Sequence, residues 1–164
     1  MTVIDIAKDL EARRLVITSS FEAPVARVWQ LWADPRQLER WWGPPTYPAT
    51  FVEHDLRPGG RVTYFMTGPE GDRHGGWWQI TAVDAPHHLE LDDGFAGPDG
   101  TPNPDMPVTT MPVDISSDGT TTRMVLTSTY PSTEAMEQLL EMGMAEGIAA
   151  AMGQIDDLLA SAPT

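Results

Sequence analysis

The chain has 164 residues, a hydrophobic share of 41%, six Trp, nine Met and no Cys, which fits one domain able to bury about two-thirds of its unfolded surface. Twenty-four acidic against ten basic residues leave a formal charge of −14, which repels phosphate backbones and anionic lipid headgroups and argues against nucleic-acid binding; the lack of cysteine excludes disulfides, thiol catalysis and thiolate metal sites. No apolar run reaches the roughly 18 residues of a membrane span, and MTVIDIAKDLEARR lacks the basic-then-apolar order of a signal peptide, so a cytoplasmic protein without membrane contact is expected.

Residues 1–12 form an N-terminal extension that either makes a short amphipathic turn through Ile4, Ile6 and Leu10 or frays. Arg14 to Phe21 is rich in β-branched residues and reads as a first strand. Pro24 ends it and suits the first turn of a helix, in which Val25, Val28, Trp29 and Trp32 recur at helical spacing. Asp34-Pro35 starts a second short helix, with Asp34 as its N-cap and Leu38, Trp41 and Trp42 on its apolar face. Trp is large and seldom fully hidden, so the adjacent Trp41 and Trp42, beside a Gly-Pro-Pro turn, must plug a core or line a cavity.

From Tyr47 the period changes to two. Val52, His54 and Leu56 share one predicted strand face and Phe51, Glu53 and Asp55 the other. After Pro58-Gly59-Gly60, a second strand of this group sets Val62, Tyr64 and Met66 on one side. Trp77 to Val83 and the run from Leu89 supply two more, separated by Asp84-Ala85-Pro86. Residues 94–107 hold four Pro and three Gly, and a loop of that length calls for a role as lid or binding rim. Val108 to Ile115 and Thr122 to Tyr130 alternate as strands around Ser117-Asp118-Gly119.

The longest predicted helix begins at Pro131-Ser132 and runs to about Ala160, followed by a tail at 161–164. Gly143, Gly147 and Ala151 stand four apart in it. Each interior glycine costs about 1 kcal/mol relative to Ala, which demands a steric reason: a strand passes close by, or space beside the helix is kept open. No repeat or linker divides residues 13–160. One strand, two short helices, several antiparallel strands and a long C-terminal helix make an α+β domain of two layers.

This order, together with FEAPVARVWQLWADPRQLERWWGP at 21–44, DLRPGGRV at 55–62 and STEAMEQLLEMGMAEGIAAAMGQIDDLLA at 132–160, resembles the START-like (SRPBCC) superfamily, within it the branch of activator of heat-shock ATPase homologue-like proteins. The resemblance covers nearly everything from Arg14 to Ala160. It implies the helix-grip fold: a curved antiparallel sheet of about six to seven strands wrapped around the long C-terminal helix, with an apolar cavity between. Two positions depart from the branch pattern: Ile148 follows Gly147 where an aromatic is common, and His54 stands where an aliphatic is common.

On that fold the implied ligand-binding residues are His54, Tyr64, Met66, Trp78, Ile80, Leu91, Met111, Met124 and Leu126 from the sheet. Leu140, Gly143, Met144 and Gly147 face them from the helix, and Trp41, Trp42 and Phe95 sit at the mouth. Met and aromatic walls adapt to varied apolar guests; the same residues also suit an ordinary core. The polar candidates are few. His54 is either a hydrogen-bonded core histidine or the one polar group orienting a ligand. His74, His87 and His88 sit near turns and lack metal-ligand spacing, so neither a metal nor a cofactor is expected. Glu53, Asp55 and Arg61 suit a structural charge cluster, because a catalytic pair would need burial.

The leading expectation is a carrier or sensor of a small hydrophobic molecule, without catalysis, its cavity closed by residues 94–107. The alternatives are a cyclase/dehydratase-type enzyme with His54 or a carboxylate as general base, and a chaperone-interacting module. A homodimer is compatible with the superfamily.

Overall fold

A computed structural model describes residues 3–97 and 99–160; Met1, Thr2, Pro98, the tail 161–164 and the side chains of Val3 and Ile4 lie outside the described residues. The first strand, β1 (Val3–Asp9), precedes β2 (Arg14–Phe21), and two short helices follow, α1 (Val25–Ala33) and α2 (Pro35–Trp41). Then come β3 (Ala49–His54), β4 (Arg61–Thr67), β5 (Arg73–Asp84), β6 (His88–Ala96), β7 (Thr109–Ser117) and β8 (Thr122–Thr129), and last the helical segments α3 (Thr133–Glu141), α4 (Met144–Met152) and α5 (Ile155–Ala160). All strands join one antiparallel sheet in the order β1-β2-β8-β7-β6-β5-β4-β3. The C-terminal helical segments pack on the face to which Val62, Trp78, Leu91, Val113 and Leu126 point. This is the helix-grip arrangement.

The two short helices form where their caps put them. Asp34 accepts the Arg36 backbone N–H at 3.0 Å, with Pro35 inside the first turn. Their apolar faces bury Val28, Leu31, Trp32, Leu38 and Trp41 in the main core. The carbonyl of Trp32, in the last turn of α1, has no partner farther along its own helix. His54 supplies one, its Nε2–H donating to Trp32 O at 2.9 Å.

Three local features differ from the sequence reading. The segment expected to turn or fray is β1, and it takes the sheet to eight strands. Ile4 and Ile6 are two apart, which is strand spacing, and pairing Asp5–Asp9 with Arg14–Thr18 satisfies an edge that β2 would otherwise expose.

The second difference is in β3, where Phe51 opposes Tyr64 and Glu53 opposes Thr63, so Val52 is the extra residue of a bulge. Strict alternation therefore fails at one point. Phe51 is buried, Val52 is 69% exposed, and His54 returns to the inner side opposite Val62.

Third, the long helix is interrupted. Gly143 has φ +86°, a left-handed conformation open to glycine, and resets the helix axis between α3 and α4. A second turn at Gly153-Gln154 separates α5. Gln154 anchors that corner, its amide donating to the Gly43 carbonyl at 2.7 Å.

Candidate ligand-binding cavity

A hollow of about 290 Å³ lies between the sheet and α3–α4, and it is partly open to the outside. Its size is at the lower end for small-molecule pockets. From the sheet, β4 contributes Tyr64 and Met66, β6 Asp93 and Phe95, β7 Thr109 and Met111, and β8 Leu126 and Ser128. Tyr130 follows β8. The helical wall is Leu139, Met142, Gly143, Met144, Gly147, Ile148, Ala151 and Met152, and Trp41, Trp42 and Pro44 complete the lining.

Gly147 shows why this space exists. A Cβ built on it meets no heavy atom within 4 Å, so the glycine of α4 keeps room open rather than admitting a close strand. Gly76 does the reverse within the sheet. It stands opposite Tyr64, and a Cβ there would run into the Tyr64 ring.

Trp41 and Trp42 belong to a packed aromatic group. Trp42 meets Trp78 edge-on at 4.9 Å between ring centroids, Trp32 meets Trp41 at 4.9 Å, and Phe51 stacks on Tyr64 at 5.0 Å. Each such pair contributes about 0.5–1.5 kcal/mol beyond the area it buries. The Trp-Trp pair thus does both things open to it. Trp41 is fully buried with its indole N–H on the Leu31 carbonyl at 2.9 Å, and half-buried Trp42 turns toward the hollow.

One wall is polar. The Tyr64 hydroxyl donates to Asp93 Oδ1 at 3.1 Å, and Thr109 is the register partner of Asp93 across β6 and β7. Burial pushes the Asp93 carboxyl up to about 7, while the Tyr64 hydroxyl and the nearby Trp78 indole pull it back. Burial, then the Asp93 charge, raises the Tyr64 hydroxyl well above its ordinary range. Tyr130 is pushed up to about 12, chiefly by burial. Its hydroxyl faces the Met144 sulfur at 3.0 Å. Among the described residues the buried indole nitrogens of Trp42 and Trp78 have no hydrogen-bond partner, so Trp78, the register partner of Asp93, stands beside it outside bonding geometry.

Of the residues expected to line a cavity, the structure gathers Trp41, Trp42, Tyr64, Met66, Phe95, Met111, Leu126, Gly143, Met144 and Gly147 around the hollow. Trp78, Ile80, Leu91 and Met124 lie beneath it in the core, at 1% exposure or less. Leu140 packs against the core and Leu139 takes the lining position, because the break at Gly143 shifts helical phase between α3 and α4. His54 is bound to Trp32 and stands outside the lining.

The lid expected at 94–107 is corrected. Residues up to Ala96 continue β6, and among the described residues of this stretch Phe95 alone borders the hollow. Gly97, Asp99, Gly100 and Thr101 border a separate polar recess with Val52, Glu53, Arg61 and Phe65. The charge cluster is superficial too: Glu53 is exposed and Asp55 pairs with exposed Arg57 at 2.9 Å. His74 bonds Asp72, His87 bonds the Ile115 carbonyl, and His88 bridges Asp114 and Glu90.

Asp93, Thr109, Ser128 and Tyr130 are polar lining side chains that sequence reasoning missed. Asp93 had a legible signal, being in phase with Leu89, Leu91 and Phe95 on one strand face.

A family model described as activator of Hsp90 ATPase homolog 1-like protein matches residues 22–160. The chain is similar to a Mycobacterium smegmatis protein of known crystal structure, with 52% identity over 99% of each chain and a TM-score of 0.90. It is also similar to an Arthrobacter aurescens protein solved in solution, with 48% identity over 99% of this chain and 95% of that one, TM-score 0.94. A more distant Staphylococcus epidermidis protein has 25% identity over 95% of this chain and 93% of that one, TM-score 0.82. No curated protein matches the chain. Among the described residues no helix is long and apolar enough to cross a membrane.

Proposed function

Because the chain belongs to the activator of Hsp90 ATPase homolog 1-like family within the START-like superfamily, we propose that it binds one small, mainly hydrophobic molecule in the hollow between sheet and C-terminal helix, as a carrier or sensor. The observation that carries this reading is Gly147: a helix interior tolerates a glycine at a cost of about 1 kcal/mol, and here the glycine faces open space. Met66, Met111, Met144 and Met152 add a deformable wall that can close on guests of different outline.

The test is native mass spectrometry of freshly purified protein, paired with titration of the neutral dye N-phenyl-1-naphthylamine. A co-purified small molecule, or saturable dye binding at one site that Gly147→Leu abolishes, supports the reading. Dye binding that survives this substitution unchanged refutes it.

One observation favours a second reading, an enzyme of the cyclase/dehydratase kind. A carboxyl near neutrality inside an apolar hollow has the acidity of a general acid–base group. Asp93 replaces His54 in that role. If the co-purified compound is chemically changed on incubation with the protein, and Asp93→Asn slows that change by about 10²-fold or more, the hollow is catalytic. Interaction with a chaperone rests on the family description alone; recovery of a chaperone by protein carrying Gly147→Leu would favour it.

A further inference from the structure

Among the described residues Asp93 is the one formally charged side chain lining the hollow, and no Arg, Lys or His stands with it. Structural carboxylates removed from bulk water normally face a cation or several donors. Here the Tyr64 hydroxyl donates to Oδ1 at 3.1 Å, the Trp78 indole stands on the neighbouring strand as the register partner of Asp93, and no cation lines the hollow among the described residues. Thr109 flanks the carboxyl from the neighbouring strand. The rest of the wall is apolar, through Met66, Phe95, Met111, Met144, Ile148 and Met152. The hollow therefore has an apolar body and one acidic end that lacks a counter-charge.

We propose that the molecule it takes is a hydrophobic amine, with its ammonium group on Asp93 and its apolar body against the methionine wall. This rests on the hollow being the binding site. An ammonium group supplies the missing charge together with further donors, in surroundings of low dielectric that strengthen the pair. A fatty acid is disfavoured at the same place, because two carboxylates in contact force one to take up a proton. The chain's overall charge of −14 also draws cations toward the mouth. Besides Asp93, the titratable side chains in the lining are Tyr64 and Tyr130, both raised above their ordinary range, so neither adds negative charge near neutrality.

The experiment compares n-octylamine, n-octanol and octanoate as displacers of N-phenyl-1-naphthylamine at pH 8, with the parent protein and with Asp93→Asn. These probes share one chain length and differ in the head. Octylamine is expected to displace the dye at about tenfold lower concentration than octanol, a preference of about 1.4 kcal/mol, and octanoate to be weakest. Asp93→Asn should level amine and alcohol. Calorimetry at pH 6.5, in buffers of different ionisation enthalpy, should show a fraction of a proton released as octylamine binds, and none released with octanol.

Equal displacement by all three heads, or an amine preference that persists in Asp93→Asn, overturns the inference while leaving the binding site standing. Failure of the dye and all three probes to bind overturns the site itself, and the inference with it. Dye fluorescence and circular dichroism of Asp93→Asn report whether the variant is folded; if it is not, Asp93→Ser makes the same comparison.

Discussion

Substitutions at Gly147 test the open space directly, because stability and binding should move in opposite directions. An ideal Cβ at this position finds no heavy atom within 4 Å, and the residue lies inside α4. Gly147→Ala therefore recovers helix propensity with no clash, a gain of about 1 kcal/mol. For a domain of this size that raises Tm by about 2–4 °C. Gly147→Leu keeps the propensity gain and lays an isobutyl group into the hollow, adding about 1–2 kcal/mol for a side chain only partly withdrawn from water. The same group occupies ligand space, so dye affinity should fall at least tenfold. Gly143→Ala is the control: at φ +86° a Cβ costs about 1–2 kcal/mol whatever room surrounds it. Calorimetric unfolding and dye titration of the three variants check the set. A lower Tm for Gly147→Ala would mean that the hollow is filled in solution, and unaltered dye binding by Gly147→Leu would mean that the dye sits elsewhere.

Asp93 carries a pH signature. Its carboxyl is pushed up to about 7 in the folded chain, against about 3.9 when unfolded. The folded state thus holds more protons between these values, and stability falls as pH rises from about 4 to about 7. Water reaching the carboxyl from the hollow reduces the full effect of about 4 kcal/mol to about 1–3 kcal/mol. Asp93→Asn should flatten the slope; urea midpoints at pH 4.5 and 8 that differ as much as in the parent contradict it. His88, raised by the hydrogen bonds it donates to Glu90 and then Asp114, stabilises below the usual histidine range, a contribution lost as pH rises through its folded value. His88→Gln should therefore destabilise more at pH 5.5 than at pH 8.5, measured by the same midpoints. His54→Ala leaves the Trp32 carbonyl unpaired and should cost about 1–2 kcal/mol with dye affinity unchanged; a loss of binding would place His54 in the site after all.

Much of the fold was legible because it rests on local periodicity. The helix starts at Asp34 and Ser132 and the order of strands and helices follow from spacing and turn chemistry, while the inward set Val62, Tyr64, Trp78, Ile80, Met111 and Met124 followed once the START-like resemblance told which sheet face meets the last helix. The methionine and tryptophan lining was likewise what the resemblance implied. Sequence also marked Gly147 as needing a steric reason, without saying which.

Tertiary structure decided the rest, because each remaining feature is a relation between segments far apart in the chain. The edge of β2 turned residues 3–9 into a strand, and the bulge opposite β4 turned Val52 outward while leaving His54 beneath α1. A left-handed Gly143 moved the lining from Leu140 to Leu139. The acidity of Asp93 belongs to none of its sequence neighbours. It arises where Tyr64 of β4 reaches across β5 to Asp93 of β6, beside β7 and the aromatic end of the hollow, since a carboxyl's charge is set by how much water the surrounding protein removes.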